Sequence, residues 1–222
     1  MQVTASDREI IYVGDPMCSW CWGIAPELDE LTARRPDLPF RVVLGGLRPG
    51  PSAREVDDRM AAALDHHWQS VADRSGQPFD HSLLERRGWI YDTEPACKAV
   101  VVMRELDESL AWPLFKRLQH LFYAEGVVPV GRDELGPVVE EFDVDAGEFF
   151  TAFESDVTTK QTWRDFAQVH KWGIGGFPTV IFRVGDQGHL IARGYTTAEH
   201  MLAALDRVAP PTGEMCGPDG AC

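Results

Sequence analysis

The chain has 222 residues, 44% hydrophobic and 25% charged, enough to bury a core as one domain or as one domain carrying an insertion. Its formal net charge of -14 argues against binding to nucleic acid or an anionic membrane, and no run of about twenty apolar residues offers a membrane span. The opening MQVTASDREI lacks the basic and apolar regions of a secretory signal, so the cytoplasm is the expected compartment. There, a close pair among the five cysteines is more often catalytic or metal-binding than structural.

Taken in chain order, Glu9 to Val13 is apolar and β-branched enough for a buried strand, and Cys18-Ser19-Trp20-Cys21 follows it as a turn. Ile24, Ala25, Leu28 and Leu31 share one face of a helix, Phe40 to Leu44 reads as a second strand, and Gly45-Gly46 with Pro49-Gly50-Pro51 ends this first part, residues 1–51. Residues 52–172 read as an all-helical insertion. Ser52 is the expected N-cap, with Glu55 completing a capping box, and Val56, Met60, Ala63, Leu64, His67 and Val71 recur at helical spacing. Further helices are expected over Thr93–Glu108, Trp112–Glu125, Arg132–Phe142, Ala146–Phe153 and Thr158–Trp172. Residues 173–210 return to β structure. Thr179–Val184 and His189–Tyr195 flank a turn at Gly185–Gly188, and Thr197 caps a last helix from Ala198 to Val208. Pro211 to Cys222 is rich in Gly and Pro and reads as a flexible tail carrying a cysteine pair.

A βαβ unit forces parallel strands, and a later hairpin can add antiparallel strands to the same sheet. The expected fold is therefore α/β, a thioredoxin-like mixed sheet with an all-helical insertion. In that arrangement the CSWC turn lies at the N-terminus of the first helix, where unpaired N–H groups and the helix dipole favour a thiolate on Cys18. Cys21, one turn further in, would resolve a mixed disulfide formed at Cys18. Pro178 follows Gly173-Ile174-Gly175-Gly176-Phe177 at the start of a strand, where it is free of any ladder penalty and can hold a cis bond.

These segments resemble the DsbA family, and within it the FrnE-like protein-disulfide isomerases without a signal peptide. The similarity rests on DPMCSWCWG, on Gly45 to Leu47, on Glu94-Pro95-Ala96-Cys97-Lys98-Ala99 and on Gly-Phe-Pro-Thr before the hairpin. The resemblance implies a thiol-disulfide oxidoreductase in which Cys18 is the nucleophile, Cys21 the resolving thiol and Pro178 a cis-proline lying against the pair. It also implies that Phe177 offers backbone groups to an extended substrate. Ser19 and Trp20, between the cysteines, join Phe177 as the expected substrate-binding residues. The exported branch of the family has Pro-His between its cysteines, so strong oxidising power does not carry over to Ser19-Trp20.

The expected partners are a disulfide-containing protein or small-thiol substrate and an unidentified redox partner, with no nucleic acid and no membrane. No bound metal or organic cofactor is expected, and glutathione is the one cosubstrate the reading admits. The alternatives are a glutathione-dependent kappa-type transferase or isomerase, which needs no resolving thiol, and a redox-gated holdase or binding module built on the insertion. Blander roles stand beside the catalytic ones: Asp15 as a turn former before Pro16, Trp22 as core, His66-His67 as a helix face and Cys97 as a small buried hydrophobe. At the C-terminus, Cys216 and Cys222 flank the turn-forming Gly217-Pro218-Asp219-Gly220. They read either as a second redox pair exchanging with Cys18–Cys21 or as two solvent thiols.

Overall fold

A computed structural model describes residues 8–209 of the chain. In chain order its elements are β1 (Arg8–Gly14), α1 (Ser19–Arg34), β2 (Phe40–Leu44), β3 (Arg54–Glu55), α2 (Asp58–Ser75), β4 (Ile90–Tyr91), α3 (Glu94–Leu106), α4 (Ala111–Tyr123), α5 (Arg132–Glu140), α6 (Ala146–Phe153), α7 (Asp156–Lys171), β5 (Thr179–Val184), β6 (Gln187–Arg193) and α8 (Ala198–Val208).

The continuous apolar run of β1 is explained by its place: it is buried on both faces from Ile10 to Gly14, between β2 and β5 in a sheet of order β2-β1-β5-β6. β1 and β2 are parallel, Ile10 opposite Phe40 and Gly14 opposite Leu44, and α1 supplies the crossover that parallel neighbours need. β5 runs antiparallel to β1, and β6 antiparallel to β5. The turn of that hairpin is shorter than expected. Val184 pairs with Gln187, so Gly185-Asp186 alone makes the loop and Gln187-Gly188 belong to β6. Gly185 takes a φ of 55°, the positive value that a two-residue hairpin loop requires to match the twist of its strands.

The thioredoxin-like mixed sheet with its helical insertion is the fold observed, and the insertion also holds a short β ladder. Arg54–Glu55 pairs with Ile90–Tyr91, which displaces the expected Ser52 N-cap and Glu55 capping box. Ser52 closes a 3-10 turn from Gly50, and Glu55 is extended. α2 begins three residues later, where the Asp57 carboxylate accepts the Met60 N–H at 2.7 Å. The last helix starts as its cap foretold, with the Thr197 side chain accepting from the His200 N–H.

Sheet and insertion share one core. Tyr12, Cys21 and Leu28 pack in the same buried cluster as Val100, Phe115 and Leu118 of α3 and α4. A second, aromatic cluster gathers Trp22, Trp68, Tyr91, Phe122 and Tyr123. The free edge of β2 is closed by an ion pair from the insertion. Arg104 of α3 meets Asp165 of α7 at 2.8 Å, Arg104 also donates to the Val42 carbonyl and Asp165 accepts the Leu44 N–H. Side chains thereby take two edge groups that would otherwise template another strand.

α1 contains Pro26 in its interior, which removes the N–H that the Trp22 carbonyl would accept. Gln77 Nε2 fills that place at 3.0 Å, while Trp22 Nε1 donates to the Pro78 carbonyl. The segment after α2 is thus tied to the first turns of α1, beside the cysteines.

Candidate active site

Cys18 is the N-cap residue of α1, extended at φ -95° and ψ 118°, and its N–H donates to the Asp15 carbonyl at 3.0 Å. Cys18 is buried at 7% exposure, and Cys21 one turn on is fully enclosed. Both are free thiols, 3.5 Å apart. Burial pushes the Cys21 thiol well above the ordinary cysteine range, and the neighbouring Cys18 sulfur adds to that shift. The pair is therefore asymmetric, Cys18 capping the helix N-terminus with a little surface left and Cys21 held as a thiol one turn in.

The remaining site residues come from the far end of the chain. The Phe177–Pro178 peptide is cis, Pro178 is buried, and the Phe177 carbonyl accepts from the Cys18 thiol at 3.8 Å. The Pro178 carbonyl in turn accepts the Gly194 N–H at 2.8 Å, so the loop after β6 is fastened to the same place. Phe177 presses its ring on Gly45; a Cβ at Gly45 would lie 2.1 Å from the ring Cζ, which is why the loop after β2 begins with glycine.

Trp20 is half-buried, its ring 5.9 Å from His67 and 6.0 Å from Tyr195. Ser19 is buried at 6% exposure, so of the two residues between the cysteines it is Trp20 that reaches the surface. Trp22 is core, stacked on Tyr123. Cys216, Cys222 and the tail from Pro211 lie outside the described residues. Among the described residues no group of three or more His, Cys, Asp or Glu stands together as a metal-ligand set.

Two buried tyrosines escaped the sequence reading, and Asp15 does more than the turn it was read as making, a turn the Met17 and Cys18 N–H groups close on it. Asp15 is fully buried; besides the Met17 N–H at 2.8 Å, its carboxylate accepts the Leu47 N–H at 2.6 Å and the Cys97 thiol at 3.4 Å. Burial pushes this carboxyl above its usual range, and those hydrogen bonds hold the rise in check. Tyr91 donates its hydroxyl to the Met17 carbonyl, bracing the same loop from β4. Tyr12 interrupts the aliphatic run of β1 six residues before Cys18; its fully buried hydroxyl faces the Cys21 thiol without closing a hydrogen bond. A phenol inside an Ile/Val strand, and an acid three residues before the first cysteine, were the signals available.

Residues 9–206 match the family described as DSBA-like thioredoxin domain. Among solved structures the fold is similar to a candidate protein disulfide isomerase from Nitrosomonas europaea, at 31% identity over 90% of this chain and 97% of that one, with a TM-score of 0.84. It is also similar to the cytosolic disulfide reductase DsbM from Pseudomonas aeruginosa (23% identity, 83% and 89% coverage, TM-score 0.72), which has also been solved with GSH. A probable DsbA oxidoreductase from Streptomyces coelicolor matches 97% of this chain and 98% of its own, at 17% identity and a TM-score of 0.70. Comparison with curated protein sequences gave no match. On a match that runs from β1 into α8 and a solved structure 31% identical over 90% of this chain, the chain belongs to the DSBA-like thioredoxin domain family.

Proposed function

We propose that the protein is a dithiol–disulfide oxidoreductase working through Cys18 and Cys21 on small-molecule or protein disulfides in the cytoplasm. The observation that carries this is the pair itself: Cys18 capping the N-terminus of α1 with its thiol on the carbonyl of the cis Phe177–Pro178 peptide, and a fully buried Cys21 3.5 Å away.

The Cys18 thiolate attacks one sulfur of a disulfide RS–SR′ and expels R′S⁻. Cys21 then gives up its proton and attacks the Cys18 sulfur, expelling RS⁻ and closing the Cys18–Cys21 disulfide. Two electrons pass from the dithiol to the substrate, and the two released thiolates take up two protons. The reverse sequence oxidises a substrate dithiol. Phe177 and Trp20 flank the reacting sulfur and would seat the substrate, with the Phe177 carbonyl free to pair with an extended chain once it is released from the Cys18 thiol. A relative solved with GSH supports a small thiol as the electron source, and its description as cytosolic supports the compartment. A glutathione-dependent kappa-type enzyme would not need Cys21, whose place beside Cys18 favours the dithiol reading.

Reduction of insulin disulfides with dithiothreitol as electron source tests the proposal. Wild type should accelerate precipitation of the insulin B chain and Cys18→Ser should not. Full activity in Cys18→Ser would sink the reading and favour the kappa-type alternative.

A further inference from the structure

One face of the sheet is only partly covered. Val169 of α7 packs on Ile11, Val13 and Val43, with Ile174 and Ile181 against the same cluster. Toward β6 this cover stops and leaves a groove of about 390 Å³. Ile11, Ile181 and Leu190, opposite one another on β1, β5 and β6, form one row of its lining, and Trp172 and Ile174 stand beside them just past the end of α7. Leu190 is 62% exposed and Trp172 39%, so the groove presents apolar surface that nothing among the described residues covers.

A bulge brings a charge onto this apolar row. In β6, Ala192 pairs with Val180 and Leu190 with Ile181, which leaves Ile191 as an extra residue. By strict alternation Leu190 and Arg193, three positions apart, would point to opposite faces. With the extra residue between them, Arg193 stands opposite Thr179, which stands opposite Val13, on the face that carries Leu190. Arg193 lines the groove, is exposed, and among the described residues forms no ion pair or side-chain hydrogen bond. The groove's other guanidinium is occupied: Arg183 donates to Glu9 at 2.8 Å and to the Gly185 carbonyl at 3.1 Å. Of the described lining residues Asp186 alone is acidic, in the hairpin turn beyond Arg183.

We propose that this groove binds a small amphiphilic carboxylate, with its head on Arg193 and its hydrocarbon along Trp172, Ile174, Ile181 and Leu190. A guanidinium offers paired N–H donors that match a carboxylate, and those of Arg193 are not engaged by the protein. Hydrocarbon laid on the apolar row takes both surfaces out of water, and the volume suits a small molecule. The bulge also breaks the regular free edge of β6 that an added strand would need. α1 packs on the other face, where Leu28 shares the core with Tyr12, so the site does not depend on the Cys18–Cys21 exchange.

The test is calorimetric titration of the full chain with butanoate, hexanoate and octanoate, and with 1-octanol and octylamine as uncharged and cationic controls. Octanoate should bind with a Kd below about 1 mM, and each added pair of methylenes should tighten binding at least about threefold. Arg193→Gln should weaken octanoate about tenfold and leave 1-octanol within about twofold of wild type. Leu190→Ser, at an exposed position that does not threaten folding, should weaken octanoate and 1-octanol alike. Arg74→Gln removes the same charge beside Tyr195 and should change neither by more than about twofold. Equal weakening of octanoate by Arg74→Gln and Arg193→Gln, or wild type that binds 1-octanol or octylamine as tightly as octanoate, overturns the carboxylate assignment. Absence of saturable binding by every carboxylate overturns the site. A dimer in sedimentation equilibrium that Leu190→Ser dissociates would give the groove to a second copy of the chain and overturn the proposal as well.

Discussion

The Asp15 carboxylate and the Cys97 thiol meet at 3.4 Å in a fully buried contact that ties the loop before Cys18 to helix α3 of the insertion. Burial, with the Asp15 charge next to it, pushes Cys97 well above the ordinary thiol range. Cys97 should therefore resist alkylation in the folded protein while Cys18 is labelled. Cys97→Ala leaves Asp15 one donor short and should cost about 1–3 kcal/mol in urea denaturation. Native labelling of Cys97 at the rate of Cys18 would contradict the contact.

Asp15 also makes a pH-dependent prediction. Burial raises its folded pKa above the ordinary carboxyl value of 3.8, so within that window the folded state holds more protons than the unfolded chain. This contribution to stability is fully present below the unfolded pKa and is lost as pH rises through the folded one. Urea midpoints of wild type and Asp15→Asn, followed from about pH 3 to 7, should show the variant gaining relative to wild type as pH rises. A pH-independent difference would refute the shift.

The buried Tyr12 hydroxyl, unpaired among the described residues while Cys21 is a thiol, is placed to donate to the Cys21 sulfur once it ionises, which favours the thiolate. Since that hydroxyl has no hydrogen-bond partner among the described residues, Tyr12→Phe should leave the denaturation midpoint unchanged or slightly higher. Loss of the hydroxyl should instead slow the resolving step, so that quenched reactions of the variant with oxidised glutathione hold more Cys18 mixed disulfide than wild type. Identical mixed-disulfide lifetimes would remove Tyr12 from the mechanism.

Cys18 and Cys21 should separate in alkylation, with Cys18 modified first as read by mass spectrometry of the tryptic peptide. Cys21→Ser should then accumulate mixed disulfides at Cys18. If Cys21 is modified first, the two roles are assigned the wrong way round.

Gly45→Ala would place a Cβ inside the Phe177 ring. The ring must shift, at a cost of about 1–3 kcal/mol by overpacking, and the Phe177 carbonyl moves with it away from Cys18. Turnover should fall by more than the stability loss explains at a temperature where the variant is fully folded. Wild-type turnover in a folded Gly45→Ala would show that the Phe177 position is not critical.

The Arg104–Asp165 pair has side chains only 14% and 16% exposed and satisfies two backbone groups of β2. Asp165→Ala leaves the half-buried Arg104 guanidinium with the Val42 carbonyl alone and the buried Leu44 N–H without a partner, and should cost about 1–3 kcal/mol in urea denaturation. A cost below about 1 kcal/mol would show that water replaces the carboxylate there.

By itself the sequence determined whatever is encoded locally. Ile10 to Val13 read as a buried strand and Phe40 to Leu44 as a second strand, Thr197 began α8 where a side-chain cap belongs, and CSWC stood at a strand-to-helix junction. Where two local signals competed, tertiary pairing chose between them. Ser52 and Glu55 spell a capping box, but Glu55 opposite Ile90 gains a ladder partner, and Asp57 takes over the cap. Contacts across long sequence separations were decided by the fold alone. Asp15 needed Leu47 and Cys97 brought to it before it became a buried acceptor, and Tyr12 needed α1 to carry Cys21 over β1. A residue's type and its near neighbours set its secondary structure, but the partner of a buried polar group is chosen by packing, which no local pattern records.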